Sequence, residues 1–175
     1  MLKRSTKTEN TRRKDPLRIL VVDDNPDAGL LMVKLFRRAG YEVAEVNDHQ
    51  VALATLINEP QPIAAVVASF SGSGTSSCLK LLDAVRNHID PRVNGHRMVL
   101  IIDNARQQMF SWQAGADEII LRPYHAQGAI MAAERAIARP DDERVQYRRR
   151  MIDELASNPG DVVAPVAATG FFVRP

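Results

Sequence analysis

Arg18-Ile19-Leu20-Val21-Val22-Asp23-Asp24-Asn25-Pro26 is the stretch on which the fold turns. Ile19 to Val22 is an unbroken β-branched and aliphatic run, with none of the polar alternation of a half-exposed strand. Such a run suits a strand covered on both faces, as in a parallel sheet. It stops at two carboxylates, and Pro26 then suits the first turn of a helix capped by Asp24 or Asn25. Leu31, Leu35 and Ala39 recur at helical spacing, and Gly40 marks the stop.

The same unit repeats downstream. Tyr41 to Val46 reads as a second strand. Asp48 can cap a helix carrying Val51, Leu53, Ala54 and Ile57, which Pro60 and Pro62 end. Ile63 to Val67 is a third strand, followed by the small-residue loop Ser69 to Ser77 and a helix with Leu79, Leu82 and Val85. Met98 to Ile102, Ala105 to Ala114, Asp117 to Leu121 and about Ala126 to Ala138 complete strand four, helix four, strand five and helix five. Five βα units in succession predict an α/β fold: a five-stranded parallel sheet with helices on both faces and right-handed crossovers. The flavodoxin-like, doubly wound order 2-1-3-4-5 is the expected wrapping.

Outside residues 17–138 the composition changes. Residues 1–16 carry six basic and two acidic side chains, 6 − 2 = +4, with little apolar content, which predicts a disordered basic arm. The extension 139–156 reads as one more helix, with Asp141, Asp142 and Glu143 where the positive helix end favours them. Val145, Ile152 and Leu155 form a narrow stripe there, with Met151 beside it. Pro159, Gly160, Pro165 and Gly170 mark residues 157–175 as a flexible tail that contains the apolar patch Phe171-Phe172-Val173.

The 175 residues are 45% hydrophobic and 25% charged, with a formal net charge of +2. That balance suits a globular domain and gives no global field for nucleic acid or anionic membrane. No apolar run approaches the ~18 residues of a membrane span. Met1 to Ser5 carries positive charge without the apolar stretch of a secretory signal. A single cysteine, Cys78, allows no internal disulfide, suits a reducing cytoplasm, and reads as a small core residue beside Leu79, Leu81 and Leu82.

Function in such sheets lies outside the carboxyl ends of the strands, where strand order reverses. Asp23 and Asp24 stand there. Two adjacent carboxylates suit a hard cation such as Mg²⁺; equally, one caps the helix and the other is solvated. Leu20-Val21-Val22-Asp23-Asp24-Asn25 resembles the opening signature of response-regulator receiver domains. Ala114-Gly115-Ala116-Asp117-Glu118, followed by Leu121-Arg122-Pro123-Tyr124, resembles that family's closing signature. The resemblance covers about residues 17 to 138. It implies a Mg²⁺ site at the acidic pair and a phosphoryl-accepting aspartate at the end of strand three. It further implies a hydroxyl ending strand four, a lysine ending strand five, and output through the fourth helix, fifth strand and fifth helix.

The sequence departs from that pattern at the site itself. The acceptor position falls on Ala68, or on Ser69 with a register slip of one, and no Asp or Glu lies between Glu59 and Asp83. Acyl-phosphate chemistry needs a carboxylate nucleophile; a serine would need an activating base, and none is evident nearby. Asp103 stands where a hydroxyl would sense phosphate, and Arg122 replaces the lysine with a planar fork. Ile119 holds the aromatic switch position, and Pro123 follows a cis bond by analogy. An ion pair from Arg122 to Asp103 or Asp23 would neutralise the pocket without phosphate. The interval from Asp103 to Gly115 is short, which predicts a trimmed fourth helix.

His49, His88, His96 and His125 show no metal-ligand spacing. Phe110 and Trp112 lie on different faces of one helix, so Trp112 is as much a candidate contact residue as a core one, and Tyr124 is expected to be partly buried. Arg148-Arg149-Arg150 reads as a solvated face, or with the Val145/Ile152/Leu155 stripe as a helix that pairs with its own domain, a second copy or a client protein. Nothing resembles a helix-turn-helix, which makes nucleic acid an improbable partner.

The resulting expectation is a non-enzymatic, cytoplasmic, receiver-like protein of signal transduction. It works by phosphorylation-independent protein contact, including homodimerisation, with at most a vestigial Mg²⁺ site at Asp23 and Asp24. Two alternatives stand beside it: a working phosphorelay receiver using Ser69 or Ser71 with Mg²⁺, and a nucleic-acid-associated regulator using the basic segments.

Overall fold

The computed structural model describes residues 15–157; the expected basic arm, up to residue 14, and the tail from residue 158 lie outside the described residues. Five strands, β1 (Arg18–Val22), β2 (Glu42–Val46), β3 (Ile63–Ala68), β4 (Met98–Ile102) and β5 (Glu118–Leu121), pair in parallel in the order β2-β1-β3-β4-β5. The helices are α1 (Pro26–Arg38), α2 (His49–Asn58), α3 (Thr75–Arg86), the single turn α4 (Pro91–Asn94), α5 (Gln108–Gln113), α6 (Ala126–Ala138) and α7 (Asp141–Ser157). A 3₁₀ turn, Ala105–Gln107, leads into α5, so the fourth predicted helix is indeed trimmed. The unpredicted turn α4 had a readable signal, since Asp90 caps it and Pro91 opens it.

Side chains alternate across the sheet, and both faces are buried. Ile19, Val21, Val67, Val99, Ile101 and Ile120 meet Met32, Val33 and Phe36 of α1 and the alanines of α6. Leu20, Val22, Val66, Ala68, Leu100, Ile102 and Ile119 meet α2, α3 and α5 through Leu56, Cys78, Leu81, Leu82, Val85 and Trp112. Two predicted stripes are shifted. In α1 the buried face is Met32, Val33 and Phe36, while Leu31 is 70% exposed; in α2 it is Ala52 and Leu56, with Val51 and Ile57 exposed. No described helix is long and apolar enough to cross a membrane.

The extension helix α7 lies against α5 of its own domain. Tyr147 meets Trp112 edge-on at 5.7 Å, and Met151, Ile152 and Leu155 sit half-buried on the same core. Trp112 is therefore a core residue, 4% exposed, and not the surface contact the sequence left open. Val145 is 65% exposed and does not belong to the stripe. Nor is the arginine run a uniform solvated face, because Arg148 turns inward and only Arg149 and Arg150 face outward.

What draws it inward is Asp117, 1% exposed. It accepts Arg144 Nε and Nη2 at 2.8 Å each, Arg86 Nη2 at 2.8 Å, Arg148 Nη1 at 3.0 Å and the Met98 amide at 2.8 Å. Burial opposes the Asp117 charge, but Arg144 and Arg86 outweigh it and hold the carboxyl below the usual carboxylate range. Burial, partly offset by Asp117, brings Arg86 down to about 10. Glu118, equally buried, pairs with Arg135 at 3.0 Å and Arg139 at 2.6 Å, and Arg139 stacks on the Tyr147 ring at 3.4 Å. Buried charges persist only when paired and hydrogen-bonded, and here the pairing joins α7 to the base of β5.

Candidate functional site

The carboxyl ends of β1, β3, β4 and β5 bring Asp23, Asp24, Ala68, Ser69, Asp103 and Arg122 together at one edge of the sheet. Asp23 follows β1 and is 1% exposed. Asn25, not Asp24, caps α1, its Oδ1 accepting the amides of Asp27 and Ala28, which leaves both aspartates to the pocket. Ala68 ends β3, in register with Val22 and Leu100, and is fully buried. Its methyl group holds the place where the resemblance put a carboxylate.

The loop after β3 folds back over the acidic pair. Asp23 Oδ1 accepts the Ser71 amide at 2.8 Å and the Asn25 amide at 3.0 Å, while Oδ2 accepts the Ser71 hydroxyl at 2.7 Å. Asp24 accepts the Gly72 and Ser73 amides at 2.7 Å each. Burial works against the Asp24 charge, but these bonds, from Ser73 and Gly72, leave its carboxyl below the ordinary value. Gly72 is needed for this approach, because a Cβ there would meet the Asp24 carboxylate at 3.1 Å. Gly74 has φ +75°, and a Cβ on it would meet Asp103 at 2.8 Å. Ahead of both glycines Phe70, 2% exposed, is held at φ 43°, a conformation that costs a non-glycine residue about 1–3 kcal/mol and persists only when its surroundings enforce it.

Arg122 fills the centre. Its Nη1 pairs with Asp103 Oδ1, and its Nη2 donates to the Ser69 carbonyl at 2.7 Å, the Ser69 hydroxyl at 2.6 Å and the Ser71 hydroxyl at 3.2 Å. Asp103 Oδ2 accepts the Thr75 amide at 3.1 Å, with the Thr75 hydroxyl 3.0 Å away. Burial again opposes, and the bonds from Arg122 and Thr75 prevail, holding the Asp103 carboxyl below its usual range. The Arg122–Pro123 peptide is cis. Ile119 is 5% exposed in the core, and Tyr124 is half-buried against the α1/α6 side.

A Mg²⁺ ion would need oxygen lone pairs directed at it. Here N–H and O–H donors already point at the oxygens of Asp23 and Asp24, and the third carboxylate position is Ala68. The arrangement does not fit the ion. Among the described residues no group of three or more His, Cys, Asp or Glu side chains is placed to hold a metal. The sequence shows no base near a serine, but the fold supplies one: the Ser71 hydroxyl donates to Asp23 Oδ2. Ser71 enters the sequence reading only as an alternative acceptor, and Gly72, Ser73 and Thr75 are not anticipated there as site residues. Their only signal was the alternation of Gly and Ser after a strand end, which marks close backbone approach without saying to what.

No family model matches the sequence, and no curated protein matches it. Solved structures do. A putative response regulator from Chloroflexus aurantiacus superimposes with a TM-score of 0.61 at 21% identity, covering 71% of this chain and 99% of that one. A response-regulator receiver domain from Clostridium thermocellum gives 0.60 at 20% identity, covering 69% and 94%. The chemotaxis response regulator CheY4 of Vibrio cholerae gives 0.57 at 16% identity, covering 69% and 98%. At these identities the likeness shows a shared fold, the CheY-like arrangement of a five-stranded sheet, to which this chain adds α7.

Proposed function

We propose that this chain is a cytoplasmic, non-enzymatic signalling module with a receiver fold, closed to phosphoryl transfer, that passes information through protein contacts. The observation that carries the reading is Arg122 bonded at once to Asp103, Ser69 and Ser71, in the space beside Ala68. A guanidinium so placed supplies the neutralisation that a phosphoryl-bound state would otherwise have to create. Asp23, Asp24 and Asp103 against one Arg122 leave a formal −2, from 3 − 1. An incoming phosphoryl group would meet that excess at ~4 Å, where each like-charge pair costs about 4 kcal/mol at an effective dielectric of ~20. The acidic pair, latched by Ser71 to Ser73, is at most a vestigial Mg²⁺ site.

One observation favours a second reading. The Ser71 hydroxyl donates to Asp23 at 2.7 Å beside Arg122, the elements of a base-assisted hydroxyl acceptor. Acetyl phosphate with Mg²⁺, followed by intact mass, separates the two. Under our reading the mass stays unchanged and beryllofluoride with Mg²⁺ leaves the melting temperature where it was. An adduct mapping to Ser71 or Ser69 would establish the second. Among the described residues nothing in the geometry favours nucleic acid, since Arg148 is engaged with Asp117 and the arginine run offers no continuous basic face.

A further inference from the structure

We propose that the outward face of α7 is a self-complementary surface that pairs antiparallel with the same helix of a second copy. The inference goes beyond the closed pocket and does not depend on it. Gln146, Arg149, Arg150, Asp153, Glu154 and Ser157 border one shallow surface depression. At 3.6 residues per turn they fall within a wedge of about 140°. Arg144, Tyr147, Met151 and Leu155, which dock α7 on its own domain, lie on the opposite side.

The order of these side chains is what selects the partner. A two-fold axis across a helix sets residue i at the height of residue j with i + j near one constant, and it keeps each edge of the face on its own side. Centred between Met151 and Ile152, that constant is about 303; Arg149 and Asp153 share one edge and Arg150 and Glu154 the other, so Arg149 meets Asp153 of the copy, Arg150 meets Glu154, and Gln146 meets Ser157 along the middle. Each pair occurs twice, so these four charges each meet an opposite and the two amides meet hydroxyls. Antiparallel helices also align their macrodipoles favourably. Within one chain none of these four charges forms an ion pair with a described residue, Arg150 only lying over the Tyr147 ring at 5.3 Å, whereas Arg144 and Arg148 on the same helix pair with Asp117. A client helix of unrelated sequence has no reason to match this order; a second copy matches it by construction.

Exposed ion pairs are individually weak and are screened as the Debye length falls from about 10 Å at 0.1 M salt to about 3 Å at 1 M. The association is therefore a modest one that raised salt loosens.

The test is the solution mass of the full chain by sedimentation velocity across a concentration series at low and high salt. Two charge-reversed variants accompany it, Arg149→Glu with Arg150→Glu, and Asp153→Arg with Glu154→Arg. All four positions are exposed, so both variants should keep wild-type circular dichroism and Trp112 emission. Wild type should be a salt-sensitive dimer and each variant alone a monomer, because like charges then face each other. An equimolar mixture of the two should associate again. A monomeric wild type at low salt overturns the proposal, as does a dimer that either variant leaves intact, since the contact would then lie on another surface. Failure here leaves the phosphodonor result untouched, and the reverse also holds.

Discussion

Replacing Asp117 by Asn tests whether charge pairing fastens α7 to the domain. The substitution keeps the side chain's shape but removes the only carboxylate on which Arg144, Arg86 and Arg148 converge. One of the two oxygens becomes an NH₂ group directed at guanidiniums that have lost their counterion. Removing one partner of a buried ion pair costs about 3–5 kcal/mol, because the remaining charge is left uncompensated. Against a typical total stability of about 5–15 kcal/mol that is a large fraction. For a domain of this size it corresponds to a melting-temperature drop of about 6–20 °C.

The assay is built in. Trp112 is the only tryptophan and is 4% exposed beneath Tyr147, so its emission reports whether α7 is docked. Urea unfolding followed at that tryptophan should show the loss in stability, and the native-state spectrum of the variant should shift to the red. Lys34→Ala, on the exposed face of α1, is the control and should stay within about 0.5 kcal/mol of wild type. The Asp117 carboxyl lies below its unfolded value, so its contribution is complete above a pH of about 4 and is lost as pH falls through the folded value. The gap between wild type and variant should accordingly close at acid pH. A variant within about 1 kcal/mol of wild type at neutral pH, with unchanged emission, would refute the reasoning.

Three further outcomes are expected. The Cys78 thiol is fully buried, and burial pushes it up to about 12, so a thiol reagent should label it only at the rate of unfolding; rapid stoichiometric labelling of the native protein would contradict this. Burial lowers His96, with Arg86 adding to the effect, so the folded value lies under the unfolded one of about 6.5. Stability from its neutral form is present above that pH and is lost as pH falls toward the folded value; His96→Gln should flatten this part of the stability profile, and an unchanged profile would exclude the assignment. Gly72→Ala should disturb the loop over Asp24, since its Cβ would press on that carboxylate at 3.1 Å, and amide exchange at Ser71 and Ser73 should quicken while the β-sheet core stays protected.

The element order and parallel sheet were legible because every strand but β2 is an apolar run buried on both faces, a pattern few other structures explain. The helix faces were less so. Leu30-Leu31-Met32-Val33 offers four apolar residues in a row, and periodicity cannot choose among them; the sheet selects Met32 and Val33. Asp23 and Asp24 were readable from their place at a strand end, and Asp103 and Arg122 joined them through the resemblance to receiver domains, which aligns the ends of strands four and five with the same site. The latch over them was not, because its donors are mostly backbone amides, which every residue but proline possesses. Arg144 and Arg148 were hidden for a different reason. A charged residue on a helix reads as solvated until the fold supplies Asp117, 27 and 31 positions away.

The loop from Ser69 to Gly74 has a kinetic corollary. Because its amides occupy the very oxygens that a visitor to the cleft would seek, no newcomer can bind the resting form; it must wait for a spontaneous opening. Its apparent affinity is then multiplied by the small fraction of molecules standing open at any instant, so the dissociation constant rises in proportion. A sequence change that merely unhooks Ser71 could raise that fraction without adding a single contact to the visitor, so receptivity at this cleft can be tuned from outside it.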